Sequence, residues 1–346
     1  MTKYTLPEWP YAYGGPSGTG YIKATPDDFI VEEILPFTPE GSGEHVFLHI
    51  EKTGENTEYI ARQLARHANV RQRDIGFAGL KDRHGRTKQW FSIWLPGKEN
   101  PDWSLLENSS LRILATSRHA RKLKRGILAG NRFRLLIRDW QGDLETTERQ
   151  LRTIQTQGFP NYFGEQRFGH QGRNVEKALA MFQGIKAKRE QRSIYLSAAR
   201  SYLFNLILAE RVKSQTWNQA IPGDVMQLDQ SHSLFQAQTV DAELMERVKT
   251  GDVHPTGALF GEGKLQADAD AQALEQRIFT SHPELANGLL KSGLEADRRS
   301  LRATPQNMHW QFESDNALRL SFELAAGSYA TTLLREIITA NDDTAS

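Results

Sequence analysis

The chain has 346 residues, enough for two domains and a sizeable buried core. Apolar residues make up 38% and charged residues 25%, with no cysteine; this excludes a disordered chain, thiol nucleophiles, disulfides and thiolate-bound metals. The net charge of +1 conceals an asymmetry: residues 60–138 carry 18 Lys and Arg against 5 Asp and Glu, while the rest of the chain carries 25 against 37.

The predicted elements begin with strands. Residues 28–34 (DFIVEEI) and 45–51 (HVFLHIE) are short, β-rich and partly alternating. The Pro-, Gly- and Ser-containing segment 35–43 between them reads as a loop. A helix is expected at 57–68, with Ile60, Ala61, Leu64 and Ala65 on one face and Thr57 as cap. Residues 89–95 (QWFSIWL) read as a buried strand. Residues 132–138 alternate, with Phe133, Leu135 and Ile137 on one face and arginines on the other. A polar helix follows at 144–157, stopped by Gly158. Val175, Leu179 and Phe182 predict another, with Asn174 as cap and Gly184 as stop. The longest helix is expected at 193–212. The glycine-rich segment 254–263 predicts a turn-rich loop, and 267–296 a helical, acidic stretch. Strands at 308–313 and 318–324 flank a hairpin turn, and a helix is expected at about 329–340.

Strand-rich ends thus flank a helix-rich middle. The expected organisation is a discontinuous domain, 1–156 and 305–346, interrupted by an inserted domain at 157–304. No run of 18 apolar residues is present, so no membrane partner is expected. The N-terminal residues lack the charged start and apolar stretch of a signal peptide, so the expected compartment is the cytoplasm. Neither HExxH, GxGxxG nor a Walker A loop occurs, which argues against zinc hydrolysis and nucleotide cofactors.

The basic segment 60–138 points to a localised anionic partner. Within it, residues 76–89 (GFAGLKDRHGRTKQ) form a glycine-rich, charged segment between strand-like runs, a common place for catalysis. Its one carboxylate, Asp82, lies among Lys81, Arg83, Arg86 and Lys88. Cations that close favour the ionised acid and can bind phosphates beside a substrate. Such a carboxylate suits a nucleophile acting on RNA; an acid that only orders a basic loop through ion pairs would look the same in composition. A second basic run, 118–125 (RHARKLKR), reads as a phosphate-contacting stretch.

Residues 76–92, GFAGLKDRHGRTKQWFS, resemble the signature of the TruD family of tRNA pseudouridine synthases. Five further segments resemble that family in the same order: DFIVEEI (28–34), GNRFRLLIR (130–138), NYFGEQRFG (161–169), HPTGALFG (254–261) and GSYATTLLREI (327–337). The resemblance implies an α+β pseudouridine-synthase catalytic domain with a mixed, largely antiparallel sheet, plus an inserted α/β domain specific to the family. It implies that uridine 13 of a tRNA substrate is isomerised to pseudouridine, with no cofactor, no metal and no obligate protein partner. Asp82 matches the nucleophile. Phe29, Asn131 and Tyr329 match positions lining the uridine pocket, although Phe is familiar in relatives where Tyr329 stands. His84–Gly85 stands where relatives often carry His–Ala, which predicts a slightly looser loop.

A flipped pyrimidine needs aromatic faces and edge hydrogen bonds, which Phe29, Tyr329 and Asn131 can supply. Lys23, Lys81, Arg83 and Arg335 are the candidate cationic partners of Asp82; the first three are also assigned to substrate binding. Two other classes share some of these features: a non-catalytic RNA-binding protein, and an N-glycosidase that releases a free base. A pure binder gains nothing from a carboxylate facing phosphates, and a glycosidase would release uracil.

Overall fold

The computed structural model describes residues 6–342. Its contacts divide the chain into two compact units. One comprises Ser17–Leu144, Pro305–Gly327 and the chain from Ile338; the other comprises the chain up to Pro16, Glu145–Thr304 and Ser328–Ile337. The second unit therefore takes in 145–156 and 328–337 as well as 157–304.

The first unit is built on a ten-stranded sheet. Its strands, numbered along the whole chain, are β1 (Gly18–Ile22), β2 (Phe29–Ile34), β3 (His45–Thr53), β4 (Ile75–Phe77), β5 (Arg86–Trp94), β6 (Leu111–His119), β7 (Gly130–Gly142), β14 (Gln306–Glu313), β15 (Ala317–Ala325) and β16 (Ile338–Asp342). The main order is β14-β15-β7-β2-β5-β3-β6, with β1 beside β7 and β16, and β4 beside β5. Pairing is antiparallel except for β1–β16 and β2–β5. The sheet is thus mixed and largely antiparallel, as expected.

Helix α1 (Thr57–His67) covers part of one face. Its apolar residues Ile60, Ala61, Leu64 and Ala65 share one face at helical spacing and pack with Val46, Leu48, Ile50, Phe91 and Ile93. Each fully buried aliphatic side chain in that cluster contributes about 1.5–3 kcal/mol. The N-cap is Asn56, one residue before the expected Thr57. Thr57 is the first helical residue, and its hydroxyl is directed to Gln89 instead.

The second unit centres on α4 (Arg189–Lys213), the longest helix, whose Leu203, Phe204, Ile207 and Leu208 are buried. Against it pack α3 (Arg173–Phe182), α6 (Ala269–Ser281) and α7 (Pro283–Leu290), and the unit also holds α2 (Leu144–Gln157), α5 (Ala242–Thr250) and the short α8 (Ala330–Leu334). Strands β9 (Val225–Leu228), β10 (Leu234–Gln236), β11 (Val253–Leu259) and β12 (Asp297–Ser300) form a small sheet in the order β10-β9-β11-β12. A two-strand ladder joins β8 (Phe159–Pro160) to β13 (Arg302–Ala303).

Three further expectations need correction. Residues 254–259 are not a loop but most of β11, which is buried in the middle of its sheet. The glycine there serves close packing: a Cβ on Gly257 would meet Leu301, Phe204 and Ile207 at 3.0–3.4 Å. The expected helix at 329–340 ends at Leu334, and the chain re-enters the other unit as β16, parallel to β1. The helix of residues 173–182 is capped by Gly172, which takes the left-handed conformation, not by Asn174. Asn174 instead donates from its side chain to the Arg167 carbonyl.

Candidate active site

Asp82 lies in the connection between β4 and β5, held by a bond to each carboxylate oxygen. Lys23 Nζ donates to Oδ2 at 2.9 Å, and the His84 backbone N–H donates to Oδ1 at 3.0 Å. The Asp82 side chain keeps 25% of its surface exposed, against 7% for Lys23. Burial by itself would raise the Asp82 pKa. The Lys23 ammonium and the His84 N–H outweigh it and hold the carboxyl below the ordinary range. The result is an ionised, partly accessible oxygen pair with one cationic partner.

Lys23 follows β1 and has φ +59°. A lysine in that region is uncommon and costs about 1–2 kcal/mol. The turn aims its side chain both at Asp82 and over the ring of Phe29, 4.7 Å from the centroid. Phe29 opens β2 on the same strand face as Val31 and Glu33, and its ring meets Phe133 of β7 edge-on at 6.4 Å. Lys23, Phe29 and Asp82 therefore converge. Gly85 contributes by its lack of a side chain: a Cβ there would sit 2.6 Å from the Phe29 carbonyl oxygen. Alanine would force the segment away from β2, so this glycine brings the two closer and does not merely loosen the loop.

The other candidates fall out as follows. The Lys81 ammonium turns from Asp82 to Glu33, at 2.9 Å, as side chains of neighbouring residues in an extended segment must. Arg83 is exposed and makes no ion pair among the described residues. Asn131, on β7, faces Glu33 of β2 in register. Its Oδ1 is buried without a hydrogen-bond partner in the described structure. An unsatisfied buried acceptor costs about 1–3 kcal/mol and calls for an explanation. Arg335 and Tyr329 belong to the second unit. Arg335 donates to the Trp9 and Pro10 carbonyls, pairs with Glu336 and lies over the ring of Tyr11.

Tyr329 has surroundings that no spacing rule indicated. Its hydroxyl accepts from Arg167 Nη2 at 2.8 Å and Nε at 3.2 Å, while Arg167 Nη1 donates to Ser197 Oγ at 2.9 Å. The ring meets Phe163 edge-on at 6.3 Å, and the Arg299 guanidinium lies 4.1 Å from the Phe163 centroid. The segment NYFGEQRFG thus supplies Phe163 and Arg167 to the setting of Tyr329. Glu165 is exposed and opens a 3-10 turn.

Lys52 was also missed. It is 1% exposed, its Nζ donates to the Glu55 carbonyl at 2.7 Å, and burial lowers its pKa to about 8 against the opposing pull of Asp82. The available signal was a lysine in phase with Leu48 and Ile50, on the buried face of β3. Of the basic run 118–125, Arg118 is occupied by Asn100 and by loop carbonyls, and Lys122 binds the Arg73 carbonyl. Arg121, Lys124 and Arg125 remain exposed.

One pair of histidines does stand four residues apart, His45 and His49 on β3. Among the described residues, no three His, Asp or Glu side chains converge to hold a metal. No helix among them is long and apolar enough to cross a membrane.

Comparison with known proteins agrees over nearly the whole chain. The family model described as tRNA pseudouridine synthase D (TruD) matches residues 9–183 and 170–337. The tRNA pseudouridine synthase D of Methylococcus capsulatus is 46% identical over 331 residues, 95% of this chain and 94% of that protein. That of Hydrogenovibrio crunogenus is 46% identical over 335 residues, 96% of each. A solved Methanosarcina mazei structure bearing the TruD name superposes with a TM-score of 0.70, at 21% identity, over 94% of this chain and 95% of that one, which supports the fold. With six motifs in order, an α+β architecture and full-length matches at this identity, the chain belongs to the TruD family of tRNA pseudouridine synthases.

Proposed function

We propose that this chain isomerises uridine 13 of tRNA to pseudouridine, with Asp82 as nucleophile and no cofactor. The observation that carries this reading is the Asp82 carboxylate: ionised, partly accessible, and held by Lys23 and the His84 N–H. Nucleophilic attack requires the charged form, and the Lys23 ammonium provides it. In the reaction a carboxylate oxygen attacks the sugar or an equivalent electrophilic site, and the N-glycosidic bond breaks. The uracil turns, C1′ of the sugar bonds to its C5 as the bond to the Asp82 oxygen breaks and frees the carboxylate, and the proton lost from C5 is balanced by one gained at N1, the former glycosidic nitrogen. Asn131 Oδ1, a buried acceptor without a partner, suits an N–H on the uracil edge. Phe29 supplies an apolar ring beside the ion pair. Tyr329 is assigned to the substrate on the resemblance alone. Residues 157–304 are read as the family-specific insertion.

The position is tested with two tRNA transcripts, one carrying uridine at 13 and one cytidine. Pseudouridine should form in the first and not in the second; modification of both would overturn the assignment to position 13.

The binding surface is tested by salt. Phosphate contacts release counterions, so affinity should fall steeply as salt rises. Replacing Arg121, Lys124 and Arg125 by Ala should weaken tRNA binding and flatten the log–log salt slope by about 3 at most. An unchanged slope would mean that these side chains do not touch phosphate. Lys122 is left out because its ammonium is bound to the protein.

At Tyr329 the hydroxyl matters as well as the ring. Tyr329→Phe leaves Arg167 Nε and Nη2 without their acceptor and should slow single turnover modestly. Tyr329→Ala should lose a further 1–3 kcal/mol or so of base stacking in the chemical step. Wild-type single-turnover rates in a folded Tyr329→Ala protein would dismiss contact with the base.

A further inference from the structure

Behind Asp82 lies a buried polar network that the reaction itself does not use. The Glu33 side chain is fully buried. Its Oε1 accepts from Lys81 Nζ at 2.9 Å and from Gln89 Nε2 at 3.4 Å, and its Oε2 accepts from the Trp90 backbone N–H at 2.8 Å. Gln89, also fully buried, donates through the same nitrogen to the Gly79 carbonyl at 2.7 Å. Its Oε1 accepts from the Thr57 hydroxyl at 2.9 Å, and that hydroxyl accepts from the Lys81 backbone N–H at 3.1 Å.

The chain just before Asp82 is thereby tied at three points: the Gly79 carbonyl, the Lys81 N–H and the Lys81 ammonium. The anchors come from three separate elements: Glu33 from β2, Gln89 from β5 and Thr57 from the first turn of α1. A core that only had to fold would place apolar groups here, since a buried acid is costly unless fully paired. The network also has a directional consequence. By holding the Lys81 ammonium, Glu33 keeps it off Asp82, so that among the described residues Lys23 is the one ion-pair partner of the carboxylate.

We propose that Glu33, Gln89 and Thr57 are positioning residues, and that Glu33 acts on Asp82 through Lys81. This rests on Asp82 being the nucleophile. A near-attack geometry is sensitive to displacements of about 1 Å, worth about a hundredfold in rate. Disturbing the network by Glu33→Gln, at a buried side chain, should therefore slow chemistry while leaving tRNA binding unchanged.

The test measures single-turnover pseudouridine formation, tRNA Kd and thermal midpoint on the full-length protein. Glu33→Gln should slow single turnover by about a hundredfold with Kd unchanged. In a Lys81→Met background, Glu33→Gln should cause no further loss, because the two act as a unit. Losses that multiply would overturn the route through Lys81. A folded Glu33→Gln protein at the wild-type rate would overturn the proposal outright. If Glu33→Gln does not fold, Thr57 decides: Thr57→Val should be slow and Thr57→Ser, which keeps the hydroxyl, should regain the rate. A Thr57→Val protein at the wild-type rate overturns the positioning role. Asp82→Asn is run in parallel. An active Asp82→Asn protein removes the nucleophile and this inference together, whereas an inactive one with a fully active Glu33→Gln removes only the inference.

Discussion

Asp82→Asn should abolish turnover while the protein still folds and binds tRNA. The amide is nearly isosteric, and its one oxygen can still accept from either Lys23 or the His84 N–H, so the loop keeps one of its two anchors at this residue. What disappears is the negative charge that attacks. Loss of a covalent nucleophile costs on the order of ten-thousandfold or more in single turnover. Affinity for tRNA should hold or rise slightly, because a negative charge that repels phosphate has gone. Activity within about tenfold of wild type would show that Asp82 is not the nucleophile.

Lys23→Met should give the next largest effect, and its signature lies in the pH dependence. Asp82 is largely withdrawn from water, which pushes its pKa up, and Lys23 is the main group pulling it down. With the ammonium removed, only the His84 contribution still opposes that push, so the carboxylate takes up its proton at higher pH than in the wild type. The acid limb of the single-turnover rate should move to higher pH, and the rate should fall about ten- to hundredfold, the worth of a charge-assisted hydrogen bond. Stability follows the same sign. A depressed carboxylate contributes stability that is present above the unfolded pKa and lost as pH falls through the folded one. The wild-type advantage over Lys23→Met should thus be greatest near neutrality and vanish in acid. An unmoved acid limb would mean that Lys23 does not set the ionisation of Asp82.

The importance of Lys23 also marks the limit of what the sequence shows. Asp82 is legible because it is the lone acid of a basic, glycine-rich segment, and Phe29 and Asn131 because they sit in recognisable motifs. The choice of Lys23 over Lys81 and Arg83 was not legible. It depends on a left-handed turn at residue 23 and on a buried Glu33 that claims Lys81, and both are tertiary facts. Lys52 and Gln89 look like ordinary strand residues until the register of β3 and β5 places them on the buried face.

The fold divides along the same line. Amphipathic periodicity located α1, α2 and β7 because one face of each is buried against a core, and α4, buried nearly all round over residues 198–212, by its length and apolar content. It failed at 254–259, where glycine and proline normally mark turns but here Gly257 lets the Phe204 and Leu301 side chains pack closely on a central strand. It failed again after Leu334, where apolar residues at both helical and strand spacing left the period ambiguous. Pairing with β1, over 300 residues away, decides for a strand there.

The most direct test of the account is a mass balance. Purified protein is incubated with tRNA, and both pseudouridine in the RNA and free uracil in solution are quantified, for wild type and Asp82→Asn. The account predicts one pseudouridine per tRNA with no free uracil for the wild type, and neither product for Asp82→Asn. Release of uracil would identify a glycosidase, and bound but unmodified tRNA would identify a non-catalytic binder; either result would contradict isomerisation by the Asp82 carboxylate.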